Sequence, residues 1–569
     1  MATDLGVRSL LLLAVLLSGC ICAEGDPCAV GGAPDWSATA TLPPVGHRAD
    51  IYGLGDALPQ AQERGLLAAT SWPVEVSGLF VPHDPLRVIL EDPSEDVTVQ
   101  TGRDLARAFI GFDSLDALYD WAGAPVFNEP EAPHPYRAPR PEGPATGRMG
   151  VGVVDTEWGP GLTFSCLSCH AGRVLGRTVV GVPNRRTRAN AFFAFGEGVV
   201  DYAEPEFMVT FGDATEAEVE MLRRSADRLS AVGSRTPQTL GLDTSLAQVA
   251  LSLARRDDDP WATRSWMAEA NPAENALASF VADSKPMPFW TMKYKTRWLS
   301  DGSVVSGNPV HTNFLWNELG RGTDLPELAA WLDGNEDVVR DLTAAVFASE
   351  APRWTDFFDP ETIDLASAQA GEALFAEHCA SCHGSYDKGW DAADAAERDA
   401  AGLLETVAVR YHDVTPVMDV GTDPQRAEGM VHFASRLNEL EISHAIGAVI
   451  EPQAGYVPPP LVGIWARYPY LHNNAVPTLC AMLEVGEDRP TEFVQGPSEG
   501  LGDFDADCVG YPVGEAMPAG WAEDAEAVYT TGAPGLSNRG HDAWLVDANG
   551  APVLDAADKA ALIAYLKTL

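Results

Sequence analysis

The chain has 569 residues, room for roughly three or four domains, and its 46% hydrophobic content and fifteen tryptophans exclude a disordered polypeptide. Eighty-two acidic residues against 38 basic ones give a net charge of −44, which argues against nucleic acid and anionic lipid as partners. A redox partner protein would have to be basic, or dock on a local basic patch.

Leu10 to Leu17 is an apolar run too short to span a bilayer, preceded by a single arginine, Arg8. It ends in Leu17-Ser18-Gly19-Cys20, which resembles the bacterial lipobox, so residues 1–19 read as a lipoprotein signal peptide. On that reading Cys20 is lipidated. The protein is then exported to the cell envelope, facing the periplasm or the cell surface, and meets the membrane only through its lipid anchor. Residues 20–145 form an N-terminal extension. It contains the apolar run Ser77 to Val81, an expected helix from about Asp104 to Trp121, and a proline-rich linker or surface arm from Asn128 to Gly147.

The next segment, residues 146–350, carries CLSCH at Cys166 to His170, and residues 351–569 carry CASCH at Cys379 to His383. Each is C-x-x-C-H, the attachment signature of c-type haem. Cys166 and Cys169 can form thioethers to one haem and Cys379 and Cys382 to another. His170 and His383 then supply proximal nitrogen to iron. A zinc or redox C-x-x-C is the competing reading, but zinc needs further ligands at short spacing. Two covalently bound haems are expected.

Between the motifs, Thr215-x-x-Glu218 is a capping box that opens a helix towards Arg228, whose acids and arginines read as a solvated face. A proline-bearing break at Pro352 to Pro360 precedes a helical run in which Ala370, Leu374 and Phe375 lead into the second motif. The chain closes on another helical pattern, Ala556 to Leu569. The fold class expected is mainly α: two cytochrome c-like haem domains with long irregular insertions and the N-terminal extension. Four of the nine cysteines go to haem and Cys20 to lipid. Cys22, Cys28, Cys480 and Cys508 remain, either as the disulfides Cys480–Cys508 and Cys22–Cys28 or as free buried thiols.

GIWARYPYLHNNAVPTL (Gly463 to Leu479) resembles the tyrosine–x–histidine segment after the second haem of bacterial di-haem cytochrome c peroxidases and MauG-type proteins. It is more similar to the RoxA-like group of di-haem rubber oxygenases. VGTDPQRA (Val420 to Ala427), SNRGHDAW (Ser537 to Trp544), the terminal LIAYLKTL and KPMPFWTMKYKTRWLSDGS (Lys285 to Ser303) resemble the same group. Two departures stand out: Asn474 where a glycine is usual, and Cys480, with Cys508 as its possible partner, where an aromatic is usual.

The resemblance implies site roles. His541 is the first candidate for the sixth ligand of the second haem. His472 is a second candidate, better suited to packing beside the haem, and Met418 is the fallback. Leu471 stands where peroxidase relatives can carry a ligating side chain, and it cannot bind iron. Trp290 resembles the tryptophan between the two haems, although an ordinary core tryptophan near Trp298 and Trp316 would look the same. His311 could serve the first haem's open face as ligand or acid–base group, or be structural, and Phe314 would line that pocket. Arg426 and Arg467 match haem propionates by guanidinium–carboxylate geometry; surface salt bridges are the alternative.

Three activities follow from this arrangement. The first is an oxygenase that uses O2 at the first haem to cleave a C=C bond of an apolar small molecule or polymer, such as a polyisoprenoid, while the second haem moves electrons. The second is a di-haem peroxidase reducing H2O2, which needs an acid–base group at the reactive iron. The third is a lipid-anchored electron carrier with no enzymatic role.

Overall fold

The computed structural model describes residues 34–37, 45–130, 132–133, 135–142, 146–255, 281–432 and 434–569. The expected leader, the lipidation site Cys20, and Cys22 and Cys28 lie outside these residues. The described chain is mainly α, with short antiparallel strands.

In the first half, helices Leu58–Ser71, Pro309–Gly320, Leu325–Gly334 and Glu336–Ala348 bury Leu66, Leu315, Leu328 and Leu342 in one core. Beside it, helices His83–Glu91, Ala189–Tyr202 and Pro205–Gly212 close a second core over a three-stranded sheet. The hairpin Val151–Thr156/Gly159–Phe164 supplies two strands, and Val81–Pro82 pairs with the second; Val153 and Val81 both sit opposite Leu162. Val81, Val151 and Leu162 are buried in this core, whereas Val154 is buried in the neighbouring one.

Two local expectations need correction. The helix expected from Asp104 to Trp121 is two helices, Val97–Ile110 and Leu115–Trp121. Gly111 ends the first in the left-handed region (φ 85°), and Ser114 caps the second by accepting the Ala117 N–H. The Thr215–Glu218 capping box does open a helix, Glu216–Leu229. Its charged side chains are not simply a solvated face, because Arg224 and Arg228 pair with Glu327 and Arg228 also reaches Asp324. Those pairs tie it to the start of helix Leu325–Gly334.

In the second half, helix Leu365–His378 leads into the second C-x-x-C-H turn, and the terminal helix Ala556–Lys567 packs across it. The crossing is close because Gly371 carries no side chain: a Cβ there would sit 2.0 Å from the Ala561 carbonyl oxygen. Ala368, Gly371 and Phe375 form the buried face. Leu374 is half-buried, whereas Ala370 is exposed.

The halves also exchange segments. Val449–Ile450 pairs with Val304–Ser306, and Met430, Leu437 and Ile442 enter the first-half core. Conversely Val174, Val179, Leu242 and Trp290 pack into the second-half core. The proline-rich arm is stitched across the join. Tyr136 is buried and donates to Asp356 (2.7 Å), while Asn128 accepts from the Thr178 N–H (3.0 Å).

Candidate haem centres

Each C-x-x-C-H motif forms one helical turn, Leu167–His170 or Ala380–His383, which faces its cysteines and histidine into a cavity. The cavity at the first motif has a volume of about 220 Å³ and that at the second about 260 Å³. Lys285, Pro286, Met287 and Ser300 line both, so a single stretch of chain forms their common wall.

The second cavity is bracketed by two imidazoles. The His383 Nδ1–H donates to the Pro459 carbonyl (2.7 Å), which fixes the ring and leaves Nε2 free to bind a metal. His541 faces it, with ring centroids 6.0 Å apart. A metal–imidazole bond is about 2 Å, so two rings on opposite sides of one iron would have centroids about 6 Å apart. Burial pushes both histidines down to about 4, and each is made harder to protonate by a neighbouring cation, Arg467 for His383 and Arg489 for His541. Burial likewise lifts the Cys379 thiol to about 12.

His541 is delivered by an unusual turn. Its φ is 59°, its N–H donates to the Val420 carbonyl (2.7 Å), and Gly540 before it has φ 85°. A Cβ on Gly540 would lie 2.3 Å from the Gly421 carbonyl carbon, so the two glycines allow the strands of chain to touch. Arg489, buried, donates to the carbonyls of Asn538 (2.6 Å) and Gly540 (2.8 Å), and its Nε to Glu484 (3.0 Å). Sequence reasoning missed Arg489. Its acceptors are all backbone carbonyls, three within eight positions and two about fifty positions away, which leave no side-chain pattern in the sequence.

His472 lines the same cavity but stacks on Tyr456 (3.9 Å, 20°). Burial, with Arg426 and Lys285 nearby, holds it down to about 3. Met418 lines the cavity and is more than one-third exposed. Leu471 (φ 65°) and Asn474 (φ 62°) both adopt left-handed backbone, which accounts for a glycine being usual at the latter; asparagine tolerates this region best among the other residues. Cys480 and Cys508 are disulfide-bonded, with Cα atoms 4.9 Å apart, beside cavity residues Leu479, Met482 and Leu483.

The first cavity differs. His170 is its only histidine among the described lining residues. Its ring stacks on Phe289 (4.6 Å), and burial pushes it down to about 4 while raising the Cys166 thiol to about 11. Trp72, Phe164, Leu246, Trp298, Phe314 and Trp316 give the walls an aromatic, apolar character. Phe314 is fully buried edge-on between Trp72 (5.3 Å) and Trp331 (5.7 Å). Asp243 is the only acid in this described lining, and its carboxylate accepts the Ser245 N–H (3.1 Å) and hydroxyl. The structure does not bring His311 into this cavity, although its neighbours Val310 and Thr312 line it.

Trp290 lines neither haem cavity. It is fully buried at the join, donates its indole N–H to Val462 (2.9 Å), and follows Phe289, which stacks on His170. Arg426 lines the first cavity and Arg467 the second. Both are buried, each donates one N–H to a carbonyl (Ala282, 2.6 Å; Pro460, 2.9 Å), and each keeps an unpartnered Nε. Neither forms an ion pair among the described residues, so surface salt bridges do not account for them.

A cysteine pair on a helical turn, a fixed histidine and a largely apolar cavity are the parts of a haem-binding protein, and the residues present fit that group. Residues 455–494 match the family described as RoxA-like, cytochrome c-like. The match covers a small part of the chain and supports a cytochrome c-like domain there, which implies a covalently bound haem. Two curated proteins of Sinorhizobium fredii (strain NBRC 101917 / NGR234) are similar to it. One, "Uncharacterized protein y4iJ", is 33% identical over 265 residues, covering 38% of this chain and 41% of its own. The other, "Uncharacterized protein y4iM", is 32% identical over 230 residues, covering 37% of this chain and 50% of its own. The chain thus spans half or less of the length of these relatives. No described helix is long and apolar enough to cross a membrane.

Proposed function

We propose that this protein is an exported di-haem oxidoreductase. In this reading the first haem is the site of oxygen chemistry on an apolar substrate, and the second is an electron-transfer centre. The observation that carries it is the inequality of the cavities: His383 faces His541 in the second, whereas His170 has no histidine opposite it in the first. A haem held by Cys166, Cys169 and His170 would supply the oxygen chemistry, and one held by Cys379, Cys382, His383 and His541 would supply one-electron transfer.

The chain's own residues do the rest. Phe314, Trp72 and Trp298 present an apolar surface suited to a hydrocarbon double bond and exclude water from it. Trp290, buried at the join, offers an aromatic stepping stone between the halves. A peroxidase would require a proton-transfer group at the first iron. Asp243 is already engaged by Ser245 and His311 stands outside the cavity, so the oxygenase reading is favoured.

The test is product analysis. Purified holoprotein, denatured, retains two covalent haems per chain; one or none sinks the reading. With a polyisoprene emulsion under air, aldehyde or ketone products are expected. Rapid H2O2 turnover with a reduced dye, and no such products, would instead establish the peroxidase. Silence in both assays would establish the carrier.

A further inference from the structure

Three cations meet at the wall of the second cavity: Lys285, Lys295 and Arg467. All three are buried or nearly so, with Lys295 only 2% exposed. None forms an ion pair among the described residues, in a chain that carries 82 acids. The Lys285 ammonium donates to the carbonyls of Arg467 (2.9 Å) and Pro469. Lys295 has less: the partner of its ammonium is the Met287 sulfur at 4.0 Å, a weak acceptor. Arg467 donates to Pro460 and leaves its Nε unpartnered.

Burying an ammonium without a counter-charge costs several kcal/mol or more. The cluster makes matters worse for itself, because Arg467 opposes the charge on both lysines. Burial and Arg467 together bring Lys295 down to about 7. A fold that gathers three such groups around one apolar cavity is completed by anions that arrive with its ligand. Haem brings two carboxylates.

We propose that Lys285, Lys295 and Arg467 form an anion-binding cluster that receives the propionates of the haem held by Cys379 and Cys382, with Lys295 setting that haem's reduction potential. Two carboxylates among three cations leave one positive charge in excess in a low-dielectric wall. Excess positive charge favours the ferrous over the ferric state, because reduction lowers the charge on the iron. The cluster therefore raises the potential of the second haem and suits it to holding an electron. Lys285 also lines the first cavity, so its charge acts on both centres, whereas Lys295 and Arg467 line the second alone.

The inference rests on the second haem being present, and its test separates the two questions. Denatured holoprotein with fewer than two haems would sink the functional reading whatever the potentials show. With two haems, spectroelectrochemical titration of Lys295→Met should lower the midpoint of the low-spin centre by at least a tenfold change in its reduction equilibrium. That change corresponds to about 59 mV for one electron. The other centre should stay near its original value, and Lys295→Arg should retain most of the wild-type potential. An unchanged midpoint in Lys295→Met, or an equal fall at both haems, overturns the proposal. Should Lys295→Met fail to accumulate, resonance Raman decides between wild type and Lys295→Arg. A shifted propionate-bending band at the low-spin haem supports the contact, and an unshifted one overturns it.

Discussion

The two cavities begin from the same five-residue motif and diverge in what the rest of the chain brings to them. The second draws His383, His541 and His472, together with Lys285, Lys295 and Arg467, from segments up to about 250 positions apart. The first has His170 as its only histidine among the described lining residues, with Lys285 and Arg426 as its cations, and fills its walls with aromatic side chains. A C-x-x-C-H turn attaches haem, but the surrounding fold decides whether the iron is closed or open. The largest test of this contrast removes the closing group. His541→Ala should convert the second haem from low-spin to high-spin in the reduced spectrum while leaving the first unchanged. If His472→Ala does so instead, the assignment of His541 is wrong and the Tyr456 stack is not what fixes His472.

Acid should separate the cavities as well. His383 and His541 are held down to about 4 and His472 to about 3, against about 6.5 in an unfolded chain. Between pH 6.5 and 4 the unfolded or detached form therefore binds protons that the folded form refuses. Stability is complete above about pH 6.5 and falls as pH drops towards 4, by roughly 3 kcal/mol per histidine. The first cavity contributes one such group, His170, and the second three. On acidification the low-spin signal should therefore fail before the spectrum of the first haem changes, with both haems still covalently attached. Simultaneous loss of both spectra would erase the distinction.

Part of this was legible in the sequence. The two motifs, the helix before the second and the terminal helix all rest on short-range spacing, and the Thr215–Glu218 capping box forms as its residues require. What was not legible depends on partners far away in the chain. Lys285 and Lys295 sit in a segment whose family resemblance assigns no role to its lysines, and only the fold turns them into a cavity wall. The break at Gly111 was available in principle, since a glycine followed by Ser114 is a stop and a cap in sequence. Arg224 and Arg228 looked like surface charge because Glu327 and Asp324 are about a hundred positions distant.

Arg489 supplies the next test, because it supports the second cavity without touching its histidines by ring contact. Its hydrogen bonds join the carbonyls of Asn538 and Gly540, just before His541, to that of Glu484 on a separate segment. Arg489→Met strands those buried acceptors and should cost about 2–4 kcal/mol of stability. In thermal melts of the holoprotein the low-spin band should disappear ahead of global unfolding. If the variant melts as one unit with its low-spin band intact to the end, the loop does not depend on this clamp.

The mildest change should come from a single methyl group. Gly540→Ala adds a Cβ at 2.3 Å from the Gly421 carbonyl carbon, at a φ of 85° that alanine adopts only with strain. The collision is with backbone, so neither side can rotate away, and the turn has to open. A cost of about 1–3 kcal/mol is expected. The opening would draw His541 away from His383, so the low-spin fraction should fall partway while haem content holds. Gly421→Ala serves as the control: a Cβ there meets only the Gly540 Cα at 3.7 Å, though its own φ of 72° adds strain. Gly540→Ala should therefore reduce the low-spin fraction more than Gly421→Ala does. Equal losses would mean that backbone strain, rather than the contact between the two glycines, determines where His541 lies.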